Sequence, residues 1–455
     1  RGPDPAAWVL SRVFARLRAR EFPALDRKRL IYLDYTGAAL PSQSQLRTHR
    51  ALVARSLLGN PHADHAPSRA STAIIEAARA ATLRFLDADP AEYSVCFTAN
   101  ASAAAKLVGE GFQFGAHGAL ALSADNHNSI NGLREYAARA GATLLTLPLD
   151  RELRLSEPER HLKAHVRRGS RLLAVPAQSN FSGVQHPLSI VAAAQRLGFA
   201  VLLDAAAYVP SSALSLRRIR PEFVIVSFYK VFGFPTGVGA LVARRDARQR
   251  LERPWFAGGT VDWVSIRHRR HQLRHTDEAF EDGTPNYYGI AALQAGFAFL
   301  QRVGIERLNA RVVELTDRLL QRLAQARHYN GGPLVQLYGP GDVRDRGGTV
   351  PFNLLDRRGG VIAYETVEAR ARAAGVAVRG GCFCNPGSAE AAFHFPAAAS
   401  LRCFRSTLAF TPRRFARCLG TGHPVGAVRA SVGAATSERD IDRAVAVLIR
   451  IAKHE

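Results

Sequence analysis

Short apolar runs alternate with helical patterns through the first two thirds of this 455-residue chain. Seven of the runs have the length and composition of buried strands: 93–97, 118–122, 143–147, 172–175, 200–203, 223–226 and 238–242. Helical patterns, among them 129–140 and 190–197, lie between several of them. Continuous apolar strands separated by helices are typical of a mainly parallel sheet that helices cover on both faces. The sequence therefore predicts an α/β fold built on such a sheet.

The pattern changes from about residue 289, where two long helical patterns, 289–303 and 305–327, precede an apparent strand at 348–354. A chain of this length exceeds the size at which one hydrophobic core keeps growing. We therefore expect three parts. They are an N-terminal arm (1–50) that packs with the small domain, a large domain (51–288) and a smaller α+β C-terminal domain (289–455).

Composition limits the partners and the setting. Lysine and arginine outnumber aspartate and glutamate by 61 to 38, and the net charge is +23. Such a charge can attract nucleic acid, but the arginines are spread along the chain, and the dense run from Arg267 to His275 lacks interleaved aromatic residues. Nucleic-acid binding is therefore not favoured. No run of 18 or more apolar residues predicts a membrane span. Five cysteines do not suggest a disulfide framework, so we expect a cytoplasmic protein.

Lys230 is the first candidate for chemistry, because it follows an apolar run and is one of only five lysines. A desolvated lysine has a lowered pKa, and its amine can attack the aldehyde of a cofactor. Asp204 follows the preceding apolar run, so one strand–helix–strand unit would bring it to a neighbouring strand end. A carboxylate there can keep a pyridinium nitrogen protonated. A lysine extending to solvent from a strand end and a helix N-cap aspartate are the structural alternatives.

Two further segments carry unusual side chains. Thr98-Ala-Asn-Ala-Ser-Ala-Ala104 leads from a strand into a helix, whose N-terminus can bind phosphate, although a plain capped helix start looks the same. In Arg379-Gly-Gly-Cys-Phe-Cys-Asn-Pro-Gly387, two cysteines lie in a loop that its glycines are expected to make mobile, and a nearby cation lowers the pKa of a thiol. Buried structural cysteines are one alternative. Zinc is another, but it needs four ligands and no second cysteine pair matches, so we predict no metal site.

Seven motifs occur in order along nearly the whole chain. They are Tyr32-Leu-Asp-Tyr-Thr-Gly-Ala38, Gly59-Asn-Pro-His62, Asp125-Asn-His-Asn-Ser129, Pro176-Ala-Gln-Ser-Asn-Phe-Ser-Gly183, Ser227-Phe-Tyr-Lys-Val-Phe-Gly-Phe-Pro-Thr-Gly237, Phe280-Glu-Asp-Gly-Thr284 and Gly381-Cys-Phe-Cys-Asn-Pro-Gly387. With them the chain resembles the class V transferases that depend on pyridoxal 5'-phosphate (PLP). Within that class it resembles the cysteine desulfurase branch, and there the N-terminal domain of the molybdenum cofactor sulfurases. The resemblance implies the PLP-dependent transferase fold type I.

The resemblance also implies how the cofactor is held. Lys230 would bind PLP covalently and later move a proton, Asp204 would contact the pyridine nitrogen, and His127 would stack on the ring. Asn180 would hydrogen-bond the 3'-oxygen of the ring. The phosphate would contact the backbone of Ala101 and the side chains of Ser102 and Ser227, and Thr260 from the other subunit of a homodimer would complete its site.

For the substrate, the resemblance implies that Arg429, with Arg379 nearby and Asn180 beside it, binds the carboxylate of L-cysteine or a related amino acid. Cys384 would take the substrate sulfur as a persulfide, releasing L-alanine, and would pass the sulfur to an acceptor protein. The same scaffold also serves C–S lyases, epimerases, aminotransferases and enzymes that form carbon–carbon bonds. A catalytically silent scaffold protein is the alternative from another class.

The chain departs from the family pattern at several positions. The family often has a histidine just before the lysine that binds PLP. This chain has Tyr229 there, as molybdenum cofactor sulfurases also tend to have. Asp204-Ala-Ala-Ala-Tyr208 lacks a glutamine found in bacterial desulfurases, so one contact to the ring oxygen is in doubt. Ser388 and Ala389 lie where the sulfurases often carry another cysteine. The resemblance does not reach the C-terminal domain with which sulfurases bind molybdenum cofactor, and we expect either a shortened chain or a stand-alone enzyme with another acceptor or another reaction.

Overall fold

The computed structural model describes residues 5–165, 168–405, 409, 411–420 and 424–454. Its strands, β1 to β15 in chain order, are Ile31–Tyr32, Tyr93–Thr98, Ala119–Ser123, Thr143–Leu147, Arg171–Pro176, Ala200–Asp204, Phe223–Ser227, Gly239–Arg244, Val261–Ser265, Arg270–Leu273, Val335–Leu337, Thr349–Leu354, Val376–Ala377, Arg379–Gly381 and Ala427–Ser431.

The α-helices, α1 to α19, are Pro5–Glu21, Pro23–Arg27, Gln43–Arg55, Ala66–Phe85, Ala101–Gly111, Asn128–Asn131, Leu133–Arg139, Pro158–Lys163, Ile190–Arg196, Leu216–Ile219, Phe228–Phe232, Arg245–Gln249, Tyr287–Val303, Ile305–Ala324, Tyr364–Ala373, Pro386–Ala392, Ala397–Phe404, Pro412–Leu419 and Glu438–Lys453. A 3₁₀ helix spans Asp277–Phe280. Within the described ranges, no helix combines the length and the apolar character needed to cross a membrane.

A seven-stranded sheet in the order β2-β8-β7-β6-β5-β3-β4 forms the centre of the molecule. β8 runs antiparallel to both of its neighbours, and the other pairs are parallel. Each of the seven predicted apolar runs forms one of these strands, within one or two residues at each end. The predicted α/β class with a mainly parallel sheet is therefore confirmed.

The inner strands read as continuous apolar runs because both faces of the sheet are buried there, whereas the edge strand β4 has an exposed Leu144. In β6, Val201 and Leu203 pack into one hydrophobic cluster, while Leu202 between them packs into the cluster on the opposite face. Helices α5 and α7 contribute side chains to the second cluster, and α9 and α13 contribute to the first. Since alternate residues of a strand point to opposite faces, each face needs its own helical layer.

The C-terminal part contains a separate antiparallel sheet in the order β11-β12-β15-β14, against which α14 and α15 pack. The N-terminal strand β1 pairs in parallel with β13, and Arg18 of α1 forms an ion pair with Asp440 of α19. The N-terminal segment therefore contacts the C-terminal part, while the exact domain boundaries stay a prediction.

Two local features differ from the sequence-based expectation. The predicted helix 129–140 is divided into α6 and α7 at Gly132, which ends the first and precedes the second. Cys403 of α17 and Cys418 of α18 form a disulfide, with Cα atoms 5.8 Å apart. The odd number of cysteines did not indicate this pair, because two short helices packed against each other bring it together.

Candidate active site

The carboxyl ends of the parallel strands meet at one edge of the central sheet. The register aligns Asp204, the last residue of β6, with Pro176 of β5 and Ile225 of β7. A cavity of about 150 Å³ opens there, and seven of the predicted site residues line it: Ala101, Ser102, His127, Asn180, Asp204, Ser227 and Lys230. Asn100, Ser129, Gln178 and Tyr229 also line it. Crevices at this edge are where open α/β sheets bind ligands.

Lys230 lies on the single-turn helix α11, directly after β7. Its ammonium makes no hydrogen bond and no ion pair with the described residues. Burial lowers its pKa below the ordinary lysine value; the carboxylate of Asp204 opposes this shift, and the guanidinium of Arg429 adds to it. The neutral amine is therefore reached at lower pH than in a free lysine, which suits a nucleophile.

Asp204 is only 9% exposed. Its Oδ1 accepts a hydrogen bond from the backbone N–H of Ala206 at 3.0 Å, and Oδ2 has no hydrogen-bond partner in the described part of the chain. A buried carboxylate with an uncommitted oxygen costs free energy unless a cation or donor meets it. The protonated nitrogen of a pyridine ring is a group of this kind.

The N-terminus of α5 forms another wall of the cavity. Asn100 caps this helix, because its Oδ1 accepts a hydrogen bond from the N–H of Ala103 at 3.0 Å. Ser227 accepts from the N–H of Ala101 at 2.9 Å. The hydroxyl oxygens of Ser102 and Ser129 lie 2.5 Å apart. Hydroxyl donors at the positive end of an 11-residue helix fit a phosphate group.

His127 stands at the start of α6 and lines the same cavity. Its Nδ1 accepts a hydrogen bond from the N–H of Ser129 at 3.1 Å, so the proton of the neutral ring is on Nε2. Burial lowers the pKa of His127, and the nearby charge of Lys230 lowers it further. A neutral imidazole held in this way has an apolar face with which it can stack on an aromatic ring.

The stretch Cys382–Ser388, here called the cysteine segment, is docked beside this cavity. The carbonyl oxygen of Phe383 accepts from Asn180 Nδ2 at 2.7 Å, and that of Cys384 accepts from the N–H of Asn128 at 2.7 Å. The second of these bonds places Cys384 against Asn128, the neighbour of the cavity residue His127. The mobility expected for this segment stays a prediction.

The two cysteines of the segment differ in exposure. Cys384 is exposed, whereas Cys382 is half-buried. Burial, together with the neighbouring Cys384 and Glu390, raises the pKa of Cys382 to about 11, so that its sulfur is a neutral thiol at neutral pH. Since the thiolate is the nucleophilic form, Cys384 suits a sulfur-accepting role better than Cys382.

Arg429 and Arg379 share one acidic partner. Arg429 is 3% exposed; its Nη1 donates to the carbonyl of Asn180 at 2.7 Å, and its Nη2 donates to Asp34 at 3.3 Å. Its buried Nε has no hydrogen-bond partner among the described residues, and burial lowers its pKa to about 10. Arg379 binds Asp34 with two nitrogens, at 2.6 and 3.0 Å. Neither arginine lines the cavity itself.

Thr260 does not join this group of residues. It is buried, its Oγ1 donates to the carbonyl of Ala257 at 2.7 Å, and it does not line the cavity of its own chain. Its contribution across a dimer interface stays a prediction. Among the described residues, no group of three or more His, Cys, Asp and Glu side chains could hold a metal ion.

Sequence reasoning assigned no role to Asp34 or to Asp125, although both lie inside motifs that it singled out. Asp34 contacts Arg429 across 395 residues of chain, and Asp125 contacts Ser388 across 263. The only sign of a role for either residue in the sequence was its position inside one of the seven motifs. Its partners could not be identified before the chain was folded.

Comparisons with known proteins agree with this geometry. A family model described as aminotransferase class-V matches residues 31–444. A molybdenum cofactor sulfurase of Anopheles gambiae is 38% identical over 444 residues, covering 92% of this chain and 56% of that protein. The chain thus spans about half the length of the curated relatives it matches.

Two solved structures share the fold. A cysteine desulfurase from Thermococcus onnurineus has a TM-score of 0.77 and 24% identity, covering 97% of this chain and 98% of that one. The cystine C–S lyase C-DES has a TM-score of 0.71 and 18% identity, covering 94% and 99%. Because a desulfurase and a lyase share the fold, the reaction must be inferred from the site.

Proposed function

Because the chain belongs to the aminotransferase class-V family of PLP-dependent enzymes, we propose that it takes sulfur from L-cysteine or a related amino acid. The sulfur would be held as a persulfide on Cys384, with release of L-alanine. One observation carries the proposal: the exposed thiol of Cys384 lies on the cysteine segment, which is docked beside the cavity that Lys230 lines. The hydrogen bond from Asn180, which lines the cavity, holds the segment that bears this thiol.

The residues of the cavity fit PLP. Lys230 would bind the aldehyde carbon, Asp204 Oδ2 the ring nitrogen, and the face of His127 the ring. The start of α5 with Ser102 and Ser227 would bind the phosphate, and Asn180 the 3'-oxygen. When bound, the cofactor supplies an electron sink for a carbanion next to the substrate nitrogen. Lys230 would also be the base at this position that moves the α-proton.

Arg429 would recognise the substrate carboxylate after a rearrangement, because it does not line the cavity and the ring of Phe383 lies 4.7 Å from its guanidinium. Its unpartnered Nε lies beside Nη2, and the two nitrogens together present the planar fork that binds a carboxylate with two hydrogen bonds. Asp34 now holds one of these nitrogens at 3.3 Å. An incoming carboxylate would therefore compete with Asp34, while Arg379 keeps Asp34 neutralised from its other side.

The atoms and electrons of the proposed sulfur transfer balance without any further oxidant or reductant. The thiolate of Cys384 attacks the substrate sulfur, a new S–S bond forms, and the Cβ–S bond of the substrate breaks. The electron pair of that bond stays with Cβ, which takes up a proton and leaves as the methyl group of alanine. A thiol of an acceptor then takes the terminal sulfur from Cys384.

A C–S lyase is the second candidate, since C-DES shares the fold. A lyase eliminates sulfur without an enzyme thiol and leaves a product that decays to pyruvate. Epimerases, aminotransferases and enzymes that form carbon–carbon bonds likewise have no use for the exposed Cys384. The docked cysteine segment therefore favours desulfuration over all of these.

The assembly and the setting are part of the proposal. A homodimer is part of the proposal, with Thr260 of one subunit reaching the phosphate site of the other; in its own chain Thr260 is buried and bonded to Ala257, so this contact would require its hydroxyl to be released. A sulfur-acceptor protein and a cytoplasmic location complete the proposal; the Cys403–Cys418 disulfide is the feature that argues against this location, because disulfides are rare in the reducing cytosol.

The test is a product assay on the full chain loaded with PLP and given L-cysteine and dithiothreitol. We expect alanine and sulfide in equal amounts and no pyruvate. Cys384→Ser should lower alanine formation by more than about 100-fold, because no other group supplies the bond-forming sulfur.

Cys382→Ser is the matched control, and it should retain activity within a few-fold. Lys230→Ala should abolish both alanine formation and the visible absorbance of the bound cofactor. Pyruvate in place of alanine, or full sulfide production by Cys384→Ser, would refute the proposal and establish the lyase.

A further inference from the structure

Asp125 is a fully buried carboxylate that lies two residues before His127. Its Oδ1 accepts hydrogen bonds from Ser179 Oγ at 2.7 Å, Asn385 Nδ2 at 2.7 Å and Ser388 Oγ at 2.5 Å. Its Oδ2 accepts from His186 Nε2 at 2.7 Å. A buried charge with four side-chain donors is well compensated, so this arrangement is built around the carboxylate.

Two of these donors belong to the cysteine segment, and both follow Cys384 closely. Asn385 also donates to Asn180 Oδ1 at 3.0 Å and accepts from the N–H of Ser388 at 3.2 Å. A Cβ atom at Gly387 would lie 2.1 Å from the carbonyl oxygen of Ala124. Glycine at 387 therefore lets the segment approach the backbone next to Asp125.

The conformation of the cysteine segment needs such support. Phe383 and Cys384 both have a φ of 55°, in the left-handed region that residues with a Cβ rarely adopt. Two consecutive residues of this kind persist only where the surrounding contacts impose the conformation. The bonds to Asp125 begin at the next residue, Asn385.

We propose that Asp125 is a positioning residue, which fixes Cys384 beside the cavity by anchoring Asn385 and Ser388 close to the end of β3. Asp125 does not line the cavity, so it acts through the segment that it holds. Its importance for sulfur transfer rests on the proposed function of Cys384, whereas the anchoring itself does not. Ser179 ties the same carboxylate to the loop that carries Asn180. Asp125 thereby couples the position of the thiol to that of a cavity residue.

Ser388→Ala tests the anchor with the smallest change, since it removes one donor and leaves Asp125 in place. In the PLP-loaded full chain, we expect amide hydrogen exchange in residues 382–392 to accelerate roughly 10-fold or more, because a charge-assisted hydrogen bond is lost. We expect the kcat for alanine formation from L-cysteine to fall by a similar factor. KM and the absorbance of the bound cofactor should stay unchanged, because Lys230 and Arg429 are untouched. Ser388→Thr, which keeps the hydroxyl, should restore the slow exchange and the kcat.

Ser182→Ala is the matched control, because Ser182 is equally buried near the site but accepts its bond from Val184 rather than reaching Asp125. It should leave exchange in residues 382–392 unchanged. A merely structural role for Ser388 would instead lower the melting temperature and accelerate exchange throughout the molecule. That result would overturn the proposal, as would unchanged exchange in Ser388→Ala or faster exchange with an unaltered kcat.

The two proposals fail in different ways. If the wild-type chain makes no alanine, the proposed function is wrong, and the anchor is still decided by hydrogen exchange alone. If the wild type makes alanine and Ser388→Ala exchanges as slowly as the wild type, the anchor is wrong and the proposed function stands.

Discussion

At the scale of single residues, the site depends on charged side chains that are buried, so that solvent does not screen them. Lys230 has its pKa lowered by burial, with Asp204 and Arg429 acting in opposite directions on it. The side chain of Lys230 is an ordinary lysine amine. The environment that the strand ends create decides how much of that amine is neutral.

The titration of Lys230 is therefore predictable in sign. In cofactor-free protein labelled with 13C at lysine Cε, Lys230 should titrate below the ordinary value of 10.5, charged at low pH and neutral above its midpoint. Asp204→Asn should move the midpoint further down, because the carboxylate stabilises the ammonium, and Arg429→Ala should move it up. The chain has five lysines, so the spectrum is simple, and the resonance lost in Lys230→Arg identifies the residue. A midpoint at or above 10.5 would contradict this account of the amine.

At the scale of elements, the active site is assembled from strand ends and helix starts. β2 ends at Thr98 and α5 begins at Ala101, so only two residues separate the sheet from the helix terminus that faces the cavity. Asn100 holds this junction through its cap. The same side chain thus stabilises the helix and orients its first N–H groups.

Asn100→Ala should weaken both the stability of the protein and the binding of PLP, whereas the loss of a helix cap away from the cavity should weaken stability alone. We expect the free energy of unfolding to fall by about 1 kcal/mol and the affinity for PLP to fall as well, because the cap orients the phosphate-binding turn. Ser42→Ala is the matched control: it removes the cap of α3, where Ser42 accepts from the N–H of Gln45 at 3.1 Å. The control should lose similar stability in urea unfolding but bind PLP normally in a fluorescence titration. Equal PLP affinities in the two variants would show that the start of α5 does not bind the phosphate.

At the scale of the whole molecule, a buried ion pair joins distant parts of the chain. Arg79 of α4 binds both carboxylate oxygens of Glu281, at 2.7 and 2.9 Å, and Glu281 also accepts from the N–H of Phe97 in β2 at 2.6 Å. Both side chains are nearly inaccessible to solvent. Helix α4, the edge strand β2 and the segment after the 3₁₀ helix are held together at this point.

Glu281→Ala should therefore lower the free energy of unfolding by about 3–5 kcal/mol, since it leaves a buried guanidinium without its main counter-charge. Glu76→Ala removes the other acidic partner of Arg79, which lies 2.9 Å away but is 61% exposed. This control should cost about 0–1 kcal/mol, because solvent screens an exposed pair. Urea unfolding of both variants measures the difference. Equal losses would show that the buried pair does not hold these elements together.

Much of the fold followed from the sequence because the patterns that specify it are local. Seven apolar runs predicted seven strands, since burial on both faces favours apolar residues along most of a strand. Lys230 and Asp204 were placed at neighbouring strand ends by the same logic. The division of 129–140 at Gly132 was missed, because a glycine inside a helical pattern is tolerated too often to mark a boundary.

What only the tertiary structure decided is which distant side chains share a charge or a donor. Asp34 stands between Arg379 and Arg429, Asp125 gathers donors from three segments, and Cys403 meets Cys418 across two helices. Periodicity, capping and apolar runs depend on neighbours along the chain, so the sequence by itself determined the elements and the residue types at their ends. Contacts across hundreds of residues depend on how those elements pack, and packing is a property of the folded chain alone.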